Sequence, residues 1–301
     1  MKSPLSRWLV ASLLLLAGCA PRPARVPAPP PVAVTPALWQ VKDADTTIYL
    51  FGTVHVLKPG TEWLRPGVKA AFGKADELVL EIIEPEDANQ MAAAMATRAI
   101  ATDGMKLSDR LEPAAREKYQ AAMTANGLPW ASFEGFNPWM AGMALSVAPL
   151  ERLGYKAELG VEKTLSGAAR AAGKRIGALE TVEQQIGYFA ALPVEQQVTF
   201  LTVTVDGLPQ VETEFATLID HWQKGEPDAL AAEMNESLEA TPELADMLLT
   251  KRNAAWALWI KARLDKPGTV FIAVGAGHLA GRNSVQDQLS ALGVASARVS
   301  E

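Results

Sequence analysis

The feature that most constrains the fold is a pair of matching segments near the two ends of the chain. Each is an apolar run followed by a glycine, two further residues and a histidine, and they occupy residues 48–55 and 270–278. The chain has only three histidines, so two of them, His55 and His278, stand in the same context more than 200 residues apart. Neutral imidazole is the commonest metal ligand and a frequent acid or base near neutral pH. We therefore interpret the two histidines as residues that line one common site.

The amino terminus predicts export. Two basic residues precede a largely apolar stretch at residues 8–16. A membrane-spanning helix takes about 20 residues, so this stretch is too short to span a bilayer and has the length of a signal-peptide core. The run Leu16-Ala17-Gly18-Cys19 resembles the lipobox of bacterial lipoproteins. Residues 1–18 are accordingly predicted to be a lipoprotein signal peptide.

The lipobox also predicts where the protein is anchored. In lipoproteins the cysteine becomes the lipidated first residue, so we expect Cys19 to attach the chain to a membrane. Ala20 is not the aspartate that usually marks inner-membrane retention, which favours the outer membrane of the bacterial cell envelope, facing the periplasm. The alternative is an ordinary cleaved signal peptide with a chance cysteine. Because Cys19 is the only cysteine, the mature chain is predicted to hold no disulfide.

Composition divides the mature chain into a tether and a domain. Residues 19–36 are the predicted tether, because the seven prolines in residues 20–36 favour extended polyproline II over packing. Residues 37–301 contain no second linker and are predicted to form one domain. The formal charge of -6 becomes more negative by two when residues 1–18 are removed. This acidic balance argues against a nucleic-acid partner.

Hydrophobic periodicity predicts strands near both ends of the domain and helices between them. The predicted strands are residues 38–41, 46–51, 77–83, 175–179, 269–274 and 295–299. The predicted helices are residues 66–74, 86–101, 111–126, 138–153, 166–172, 182–191, 194–203, 211–224, 227–238, 242–264 and 284–292. We therefore predict a mixed α/β (α+β) fold whose central sheet is formed from the N- and C-terminal parts, with a large helical middle region.

Four side chains that bind metals or carry protons fall at the ends of predicted strands. They are His55, Glu81, Glu180 and His278. In sheets built from strand-helix-strand units, ligands bind just beyond the carboxyl ends of the strands. Two imidazoles and one carboxylate form a common open ligand set for a catalytic divalent metal, which lowers the pKa of its bound water toward about 7. The remaining carboxylate is a candidate general base or additional ligand.

Several of these residues also have a simpler interpretation. Glu81 interrupts an apolar run, so it is buried or aimed into a cleft and needs a cation nearby. Glu180 is alternatively the cap of a helix that begins at Thr181. The third histidine, His221, is interpreted as an ordinary surface or rim residue.

Glycines in the two matching segments are predicted to form the loops of the site. Gly52, Gly275 and Gly277 lack a Cβ, so the chain can turn sharply after each strand and approach a ligand closely. Gly281 stands one place late for the dinucleotide motif G-x-G-x-x-G. The sequence contains no G-x-S-x-G, H-E-x-x-H or G-x-x-x-x-G-K motif, which argues against serine and cysteine nucleophiles.

Five short motifs in chain order carry a family resemblance. They are Leu50-Phe51-Gly52-Thr53-Val54-His55-Val56, Leu80-Glu81, Gly177-Ala178-Leu179-Glu180-Thr181, Arg252-Asn253 and Val274-Gly275-Ala276-Gly277-His278-Leu279-Ala280-Gly281. Together they resemble the TraB/PrgY/GumN family, which includes the Tiki proteins, membrane-tethered metal-dependent proteases. The resemblance extends from about Trp39 to Val299, nearly the whole mature chain.

This resemblance implies a Tiki-like domain with a metal site. The matching ligands are His55, Glu81 and His278, with manganese or cobalt favoured over zinc. Arg252 and Asn253 match a helical arginine-asparagine pair, in which the arginine stabilises an oxyanion or holds a carboxylate.

The predicted function is a metalloprotease, a hydrolase anchored to a membrane through Cys19. Its expected substrate is a peptide or protein of the cell envelope, with Glu180 transferring the proton. The family also has members without demonstrated catalysis, which leaves two alternatives. One is a protein that binds a peptide or haem-like ligand without turnover, and the other is a metal-dependent esterase.

Overall fold

The computed structural model describes residues 32–33, 36–85, 87–238 and 245–299. The predicted signal peptide at residues 1–18, Cys19 and most of the predicted tether lie outside the described residues. No helix in the described ranges is long and apolar enough to cross a membrane.

The described residues confirm the mixed α/β class. The strands are β1 (Val32–Ala33), β2 (Leu38–Lys42), β3 (Thr46–Thr53), β4 (Thr61–Glu62), β5 (Glu77–Leu80), β6 (Arg175–Ala178), β7 (Gly268–Gly275) and β8 (Ser296–Arg298). The helices are α1 (Pro66–Lys74), α2 (Ala88–Ala99), α3 (Pro113–Ala125), α4 (Pro138–Arg152), α5 (Val161–Ala171), α6 (Val182–Ala190), α7 (Val194–Gly207), α8 (Val211–Lys224), α9 (Pro227–Leu238), α10 (Lys251–Leu264) and α11 (Val285–Ala291). A π-helical turn, Asp246–Thr250, directly precedes α10.

The described chain groups into two compact units. A helical unit comprises Glu84–Gly154 and Val182–Phe215. A sheet unit comprises the segment ending at Ile83, Tyr155–Thr181 and the segment beginning at Ala216. Both units fall inside the region predicted as one domain, residues 37–301.

In the helical unit, α4 is apolar on nearly all sides and packs against α7. Gly142 allows this close packing, because an ideal Cβ there would lie 2.5 Å from Cε1 of Phe200. Tyr119 and Met123 of α3 belong to the same hydrophobic core. Both α3 and α4 begin with a proline, which suits the first helical position because its missing N–H has no intrahelical partner there.

The sheet unit is built on six strands in the order β6-β5-β7-β3-β2-β8. The strands β6, β5, β7 and β3 are parallel, whereas β2 is antiparallel to both of its neighbours. The two central strands, β3 and β7, are the apolar runs of the matching segments. The prediction that the sheet comes from both ends of the chain is therefore confirmed.

Apolar side chains cover both faces of this sheet. One face carries Ile48, Leu50, Val270 and Ile272, which pack with Trp256, Ile260 and Leu289 of α10 and α11. On the other face the ring of Phe271 packs against those of Phe51 and Phe72, with centroid distances of 5.8 and 5.5 Å. Burial on both faces explains why these strands read as continuous apolar runs.

Among the differences from the sequence-based expectation, the helix predicted over residues 166–172 begins earlier, at Val161, and two further differences concern strands. The strand predicted over residues 77–83 ends at Leu80. At the next residue the contact with β7 is made by the side chain, because the Glu81 carboxylate accepts the Gly275 N–H at 2.7 Å. Residues 32–33 of the predicted tether form a short parallel pair with β4. A two-residue pairing of this kind leaves no periodic signal in the sequence.

Candidate functional site

The predicted site residues gather at the carboxyl ends of the parallel strands. Because β3 and β7 end opposite one another in a parallel register, the loops that carry His55 and His278 leave the sheet side by side. His278 lies in a 3₁₀ turn, Ala276–Leu279, directly after β7. Glu81 and Glu180 follow β5 and β6, and the Glu180 N–H donates to the carbonyl oxygen of Glu81 at 2.8 Å.

Three of these residues surround Gly275. An ideal Cβ at Gly275 would lie 3.1 Å from Glu81 Oε1, 3.6 Å from His278 Cδ2 and 3.9 Å from His55 Nε2. His278 Nε2 lies 3.7 Å from the same Glu81 oxygen. The structure therefore brings His55, Glu81 and His278 to one point, where any side chain at position 275 would intrude. Their role as metal ligands stays a prediction.

The orientation of His278 is fixed by two asparagines. Nδ1 of His278 lies 2.6 Å from Oδ1 of Asn253, and Nδ2 of Asn253 donates to the carbonyl oxygen of Asn283 at 2.8 Å. Because a carbonyl oxygen only accepts, the amide nitrogen of Asn253 must face Asn283 and its oxygen must face His278. Nδ1 is therefore the protonated nitrogen of a neutral His278, and Nε2 carries the lone pair.

His55 is held through the same ring nitrogen by Glu162. His55 Nδ1 lies 2.8 Å from Glu162 Oε1, and the hydroxyl of Thr53 donates to that oxygen. Glu162 lies in the first turn of α5, where the helix dipole favours a negative charge. Burial raises the pKa of the Glu162 carboxyl, but His55 and Thr53 outweigh burial and hold the pKa below its usual value. Ionised Glu162 thus accepts from Nδ1, and Nε2 faces the cluster.

Arg252 links the carboxylates of the site. Its Nε and Nη2 donate to Glu180 at 2.9 Å each, and Nη2 also donates to Glu81 Oε2 at 2.6 Å. Nη1 donates to the carbonyl oxygen of Leu248 at 3.0 Å and lies 3.1 Å from His278 Nε2. All four ionisable side chains of this group are buried. The guanidinium therefore offsets the high cost of burying two carboxylates.

Trp256 lies one helical turn after Arg252 and supports the same group. Its Nε1 donates to Glu180 Oε1 at 3.0 Å. Its ring centroid lies 4.3 Å from that of His278 and 4.8 Å from the guanidinium carbon of Arg252. A cation over the face of an indole is attracted by the ring quadrupole. Together with Asn253, α10 thus positions both Glu180 and His278.

The charges of the site shift the pKa values of its members. Burial raises the pKa of Glu81, but Arg252, followed by the two histidines, outweighs burial and lowers the pKa to about 2. Burial and then the Arg252 charge lower the pKa of His278 to about 3. Burial lowers the pKa of Arg252, but Glu81 and Glu180 outweigh it and raise this pKa above its usual value. At neutral pH an anionic Glu81 therefore faces a neutral His278.

Two of the predicted loop glycines allow close contacts around the site. An ideal Cβ at Gly52 would lie 3.1 Å from Cα of Ala276, so the two matching segments touch at this point. An ideal Cβ at Gly277 would lie 2.4 Å from Cε of Met234. Close approaches of this kind are predicted from the sequence at these glycine positions.

Glu162 is not identifiable from the sequence. The residue follows Gly160, whose ideal Cβ would lie 2.3 Å from the carbonyl oxygen of His55. The Val161 N–H donates to the carbonyl oxygen of Val54 at 3.1 Å, so the start of α5 lies against the loop after β3. An acid in the first turn of a helix is common. The only signal, a glycine two residues before an acid, is therefore too weak to predict this contact.

The chemistry of the donors suits a divalent cation. Metal-ligating histidines usually donate their second ring nitrogen to an acceptor, as His55 does to Glu162 and His278 to Asn253. The site combines three carboxylates with one guanidinium, a formal excess of two negative charges among these four side chains. In the conformation described, however, no three His, Cys, Asp or Glu residues of the described ranges form a group that could hold a metal ion. Because Arg252 Nη1 lies 3.1 Å from His278 Nε2, metal binding by that nitrogen would require the guanidinium to move away from it.

Comparison with known proteins finds one family and a small group of relatives. The family described as TraB/PrgY/gumN family matches residues 37–298. A relative described as uncharacterized protein YbaP from Escherichia coli (strain K12) is 24% identical over 254 residues, which cover 84% of this chain and 92% of that protein. Its counterpart from Shigella flexneri is 24% identical over 241 residues, 80% of this chain and 87% of that protein. No solved structure matches the chain significantly.

Proposed function

The chain belongs to the TraB/PrgY/gumN family, and on that premise we propose that it is a divalent-metal-dependent peptide hydrolase of the bacterial cell envelope. One observation carries the proposal. His55, Glu81 and His278 converge on Gly275, and each imidazole is held through Nδ1. A buried site with two imidazoles, a carboxylate and a guanidinium has the parts that hydrolysis of an acyl bond needs.

In the proposed reaction, His55, Glu81 and His278 would hold the metal, with manganese or cobalt favoured over zinc by the family resemblance. A bound divalent metal supplies a water molecule of lowered pKa as the nucleophile. Glu162 keeps Nε2 of His55 directed at the cluster, and Asn253 does the same for His278. These two positioning residues hold the ring orientations before substrate arrives.

Arg252 is assigned to the charge that develops on the carbonyl oxygen of the substrate. Metal binding by His278 would release the Nη1 N–H that now faces its Nε2, and a donor in a buried site stabilises an oxyanion more strongly than it would in water. Glu180 holds the guanidinium through two of its nitrogens and therefore positions Arg252. Glu180 also stays our candidate for proton transfer, because it lies beside Glu81 at the ends of neighbouring strands.

The test of this function uses the purified full-length chain loaded with manganese. A mixed peptide pool is incubated with the protein, and products are identified by mass spectrometry. We expect cleavage that a chelator abolishes and added manganese restores. The His55→Ala/His278→Ala double variant should contain little metal by elemental analysis and cleave nothing.

Two results would replace the proposal with one of its alternatives. Tight metal binding without cleavage of any peptide would favour a protein that binds a peptide or haem-like ligand without turnover. Cleavage of small esters alone would favour a metal-dependent esterase.

Replacing Glu162 with glutamine is expected to weaken metal binding about 10- to 100-fold, the usual effect of removing a partner that orients a metal-ligating histidine. The amide has no charge and so loses the preference for a protonated Nδ1 on His55. Isothermal titration with manganese measures the change. Glu158→Gln is the matched control, because Glu158 precedes the same helix and is exposed. Equal affinities for the two variants would contradict the assigned role of Glu162.

We also propose that the protein is a lipoprotein anchored to a membrane through Cys19. The supporting observations are the lipobox-like run Leu16-Ala17-Gly18-Cys19 and the proline-rich segment behind it. Labelled palmitate should enter the wild-type chain and not the Cys19→Ser variant. Recovery of unlabelled wild-type protein free in the periplasm would contradict the anchor.

A further inference from the structure

Every N–H group of the Arg252 side chain has an acceptor in the structure. The Nε–H and one Nη2–H donate to Glu180, and the other Nη2–H donates to Glu81. The two Nη1–H groups face the carbonyl oxygen of Leu248, at 3.0 Å, and Nε2 of His278, at 3.1 Å. A guanidinium has five N–H donors in a fixed plane. Any new partner of Arg252 therefore has to replace one of these acceptors.

The contact with His278 differs from the others because its acceptor has a single lone pair. A neutral imidazole has one N–H nitrogen and one acceptor nitrogen, and the bond between Nδ1 and Asn253 leaves Nε2 as the acceptor. That lone pair serves either one hydrogen bond or one metal ion. A carboxylate oxygen has more than one lone pair, so Glu81 can keep Arg252 on Oε2 while Oε1 takes another partner. Competition between Arg252 and a metal is therefore confined to His278 Nε2.

The position next to Nε2 suits a cation. Glu81 Oε1 lies 3.7 Å from His278 Nε2, which is less than the sum of two metal–ligand distances of about 2.0 to 2.2 Å each. The two atoms can therefore share an ion. With Nη1 of Arg252 only 3.1 Å from the same nitrogen, the guanidinium and the ion would be two cations at one acceptor. Their repulsion adds to the loss of the lone pair.

The other side of the guanidinium is held independently of His278. Glu180 accepts Nε and Nη2 of Arg252 at 2.9 Å each, and the indole of Trp256 donates to the same carboxylate at 3.0 Å. Bidentate pairs between arginine and a carboxylate are among the strong hydrogen bonds of proteins. Arg252 can therefore lose its contact with His278 and stay bound to Glu180.

We propose that Arg252 sets the metal affinity of the site by competing with the metal for Nε2 of His278. The inference rests on the proposed hydrolase function and adds the residue that decides how strongly the site binds its metal. The Nη1–H occupies the lone pair until a divalent cation displaces it, and the bonds to Glu180 keep the guanidinium in the site. The same displacement makes the freed N–H available to the substrate.

Titration of the full-length chain with manganese, followed by calorimetry, tests the competition. Arg252→Lys keeps the charge beside the two glutamates but loses the planar fork that also reaches His278. It should bind manganese at least about tenfold more tightly than the wild type, the factor that corresponds to one hydrogen bond from a charged donor. Arg175→Met is the matched control and should bind like the wild type, because Arg175 is exposed at the start of β6. Equal or weaker binding by Arg252→Lys overturns the proposal.

A measurement on the wild-type chain does not depend on the fold of a variant. The protein is labelled with ¹⁵N-arginine and ¹⁵N-histidine, and the hydrogen bond from Arg252 to His278 is detected as a scalar coupling between its two nitrogens. Zinc is the added metal, because it is diamagnetic and also binds histidine and carboxylate ligands. We expect the coupling before zinc is added and its loss afterwards, while the Nε–H bound to Glu180 stays protected from exchange with water. Bound zinc with an intact coupling, or no coupling before zinc is added, overturns the proposal.

This proposal and the proposed function can fail separately. Tighter manganese binding by Arg252→Lys without cleavage of any peptide by the wild type would overturn the hydrolase and leave the competition at His278. Metal-dependent cleavage by the wild type without a gain of affinity in Arg252→Lys would overturn the competition and leave the hydrolase. A wild type and an Arg252→Lys variant that both bind neither manganese nor zinc would overturn both.

Discussion

Replacing Arg252 with methionine is expected to lower the free energy of unfolding by about 3 to 5 kcal/mol, the usual cost of removing one partner from a buried ion pair. The guanidinium bridges Glu81 and Glu180, whose side chains are only 7% and 5% exposed. Methionine fills a similar volume without a charge, so both carboxylates lose the cation that stabilises them. Urea denaturation followed by circular dichroism measures the change.

The matched control for this variant is Arg175→Met. Arg175 also faces a glutamate, Glu77, at 3.5 Å, but its side chain is 69% exposed. Exposed pairs of this kind contribute at most about 1 kcal/mol. Arg252→Lys should fall between the two, because it keeps the charge and loses the planar fork that binds two carboxylates at once. Equal destabilisation by Arg252→Met and Arg175→Met would contradict the bridging role.

The two glutamates of the site are expected to differ when each is replaced by glutamine. Glu81→Gln removes the charge of a predicted metal ligand in the cluster around Gly275 and should lower metal content and activity together. Glu180→Gln should retain the metal and lower the rate by about 10² to 10⁴, the usual contribution of a positioned proton-transfer group. Elemental analysis and peptide cleavage by the manganese-loaded proteins measure both effects.

Glu77→Gln is the control for this pair, because Glu77 lies at the opposite end of β5 from Glu81. It should change neither metal content nor rate. Full activity in Glu180→Gln would remove Glu180 from the reaction. A wild-type metal content in Glu81→Gln would remove Glu81 from the metal site and leave the ion-pair contact with Arg252 as its role.

The sheet and the position of its polar edge are predictable from the sequence. The apolar runs before Gly52 and Gly275 are long because both faces of β3 and β7 are buried, and this continuous pattern identifies central strands. The carboxyl ends of parallel strands meet at one edge, which is why His55 and His278 can be assigned to one place without a structure. Glu81 is identifiable because a carboxylate inside an apolar run needs a cation.

The partners of these residues are not predictable in the same way. Glu162 and His55 meet because the start of α5 packs against the loop after β3, a contact that no local pattern records. Arg252 is recognisable from the family motif, but its simultaneous bonds to Glu81, Glu180 and His278 depend on where α10 lies on the sheet. An ion-pair network forms only when tertiary structure brings its residues together. A pattern in one sequence can show the individual residues but not which of them pair.

Because β3 and β7 are neighbours in the sheet, the site forms late in the synthesis of the chain. Protein synthesis proceeds from the amino end at about 5 to 20 residues per second, and the strand that carries the second histidine begins only at Gly268. Before β7 has been synthesised, the strand β3 that precedes His55 lacks this neighbour. Pairing between strands so far apart in the sequence is intrinsically slow. A chain that stops before this strand lacks both His278 and the strand that joins β3 to β5, so the cluster can assemble only after this segment has been synthesised.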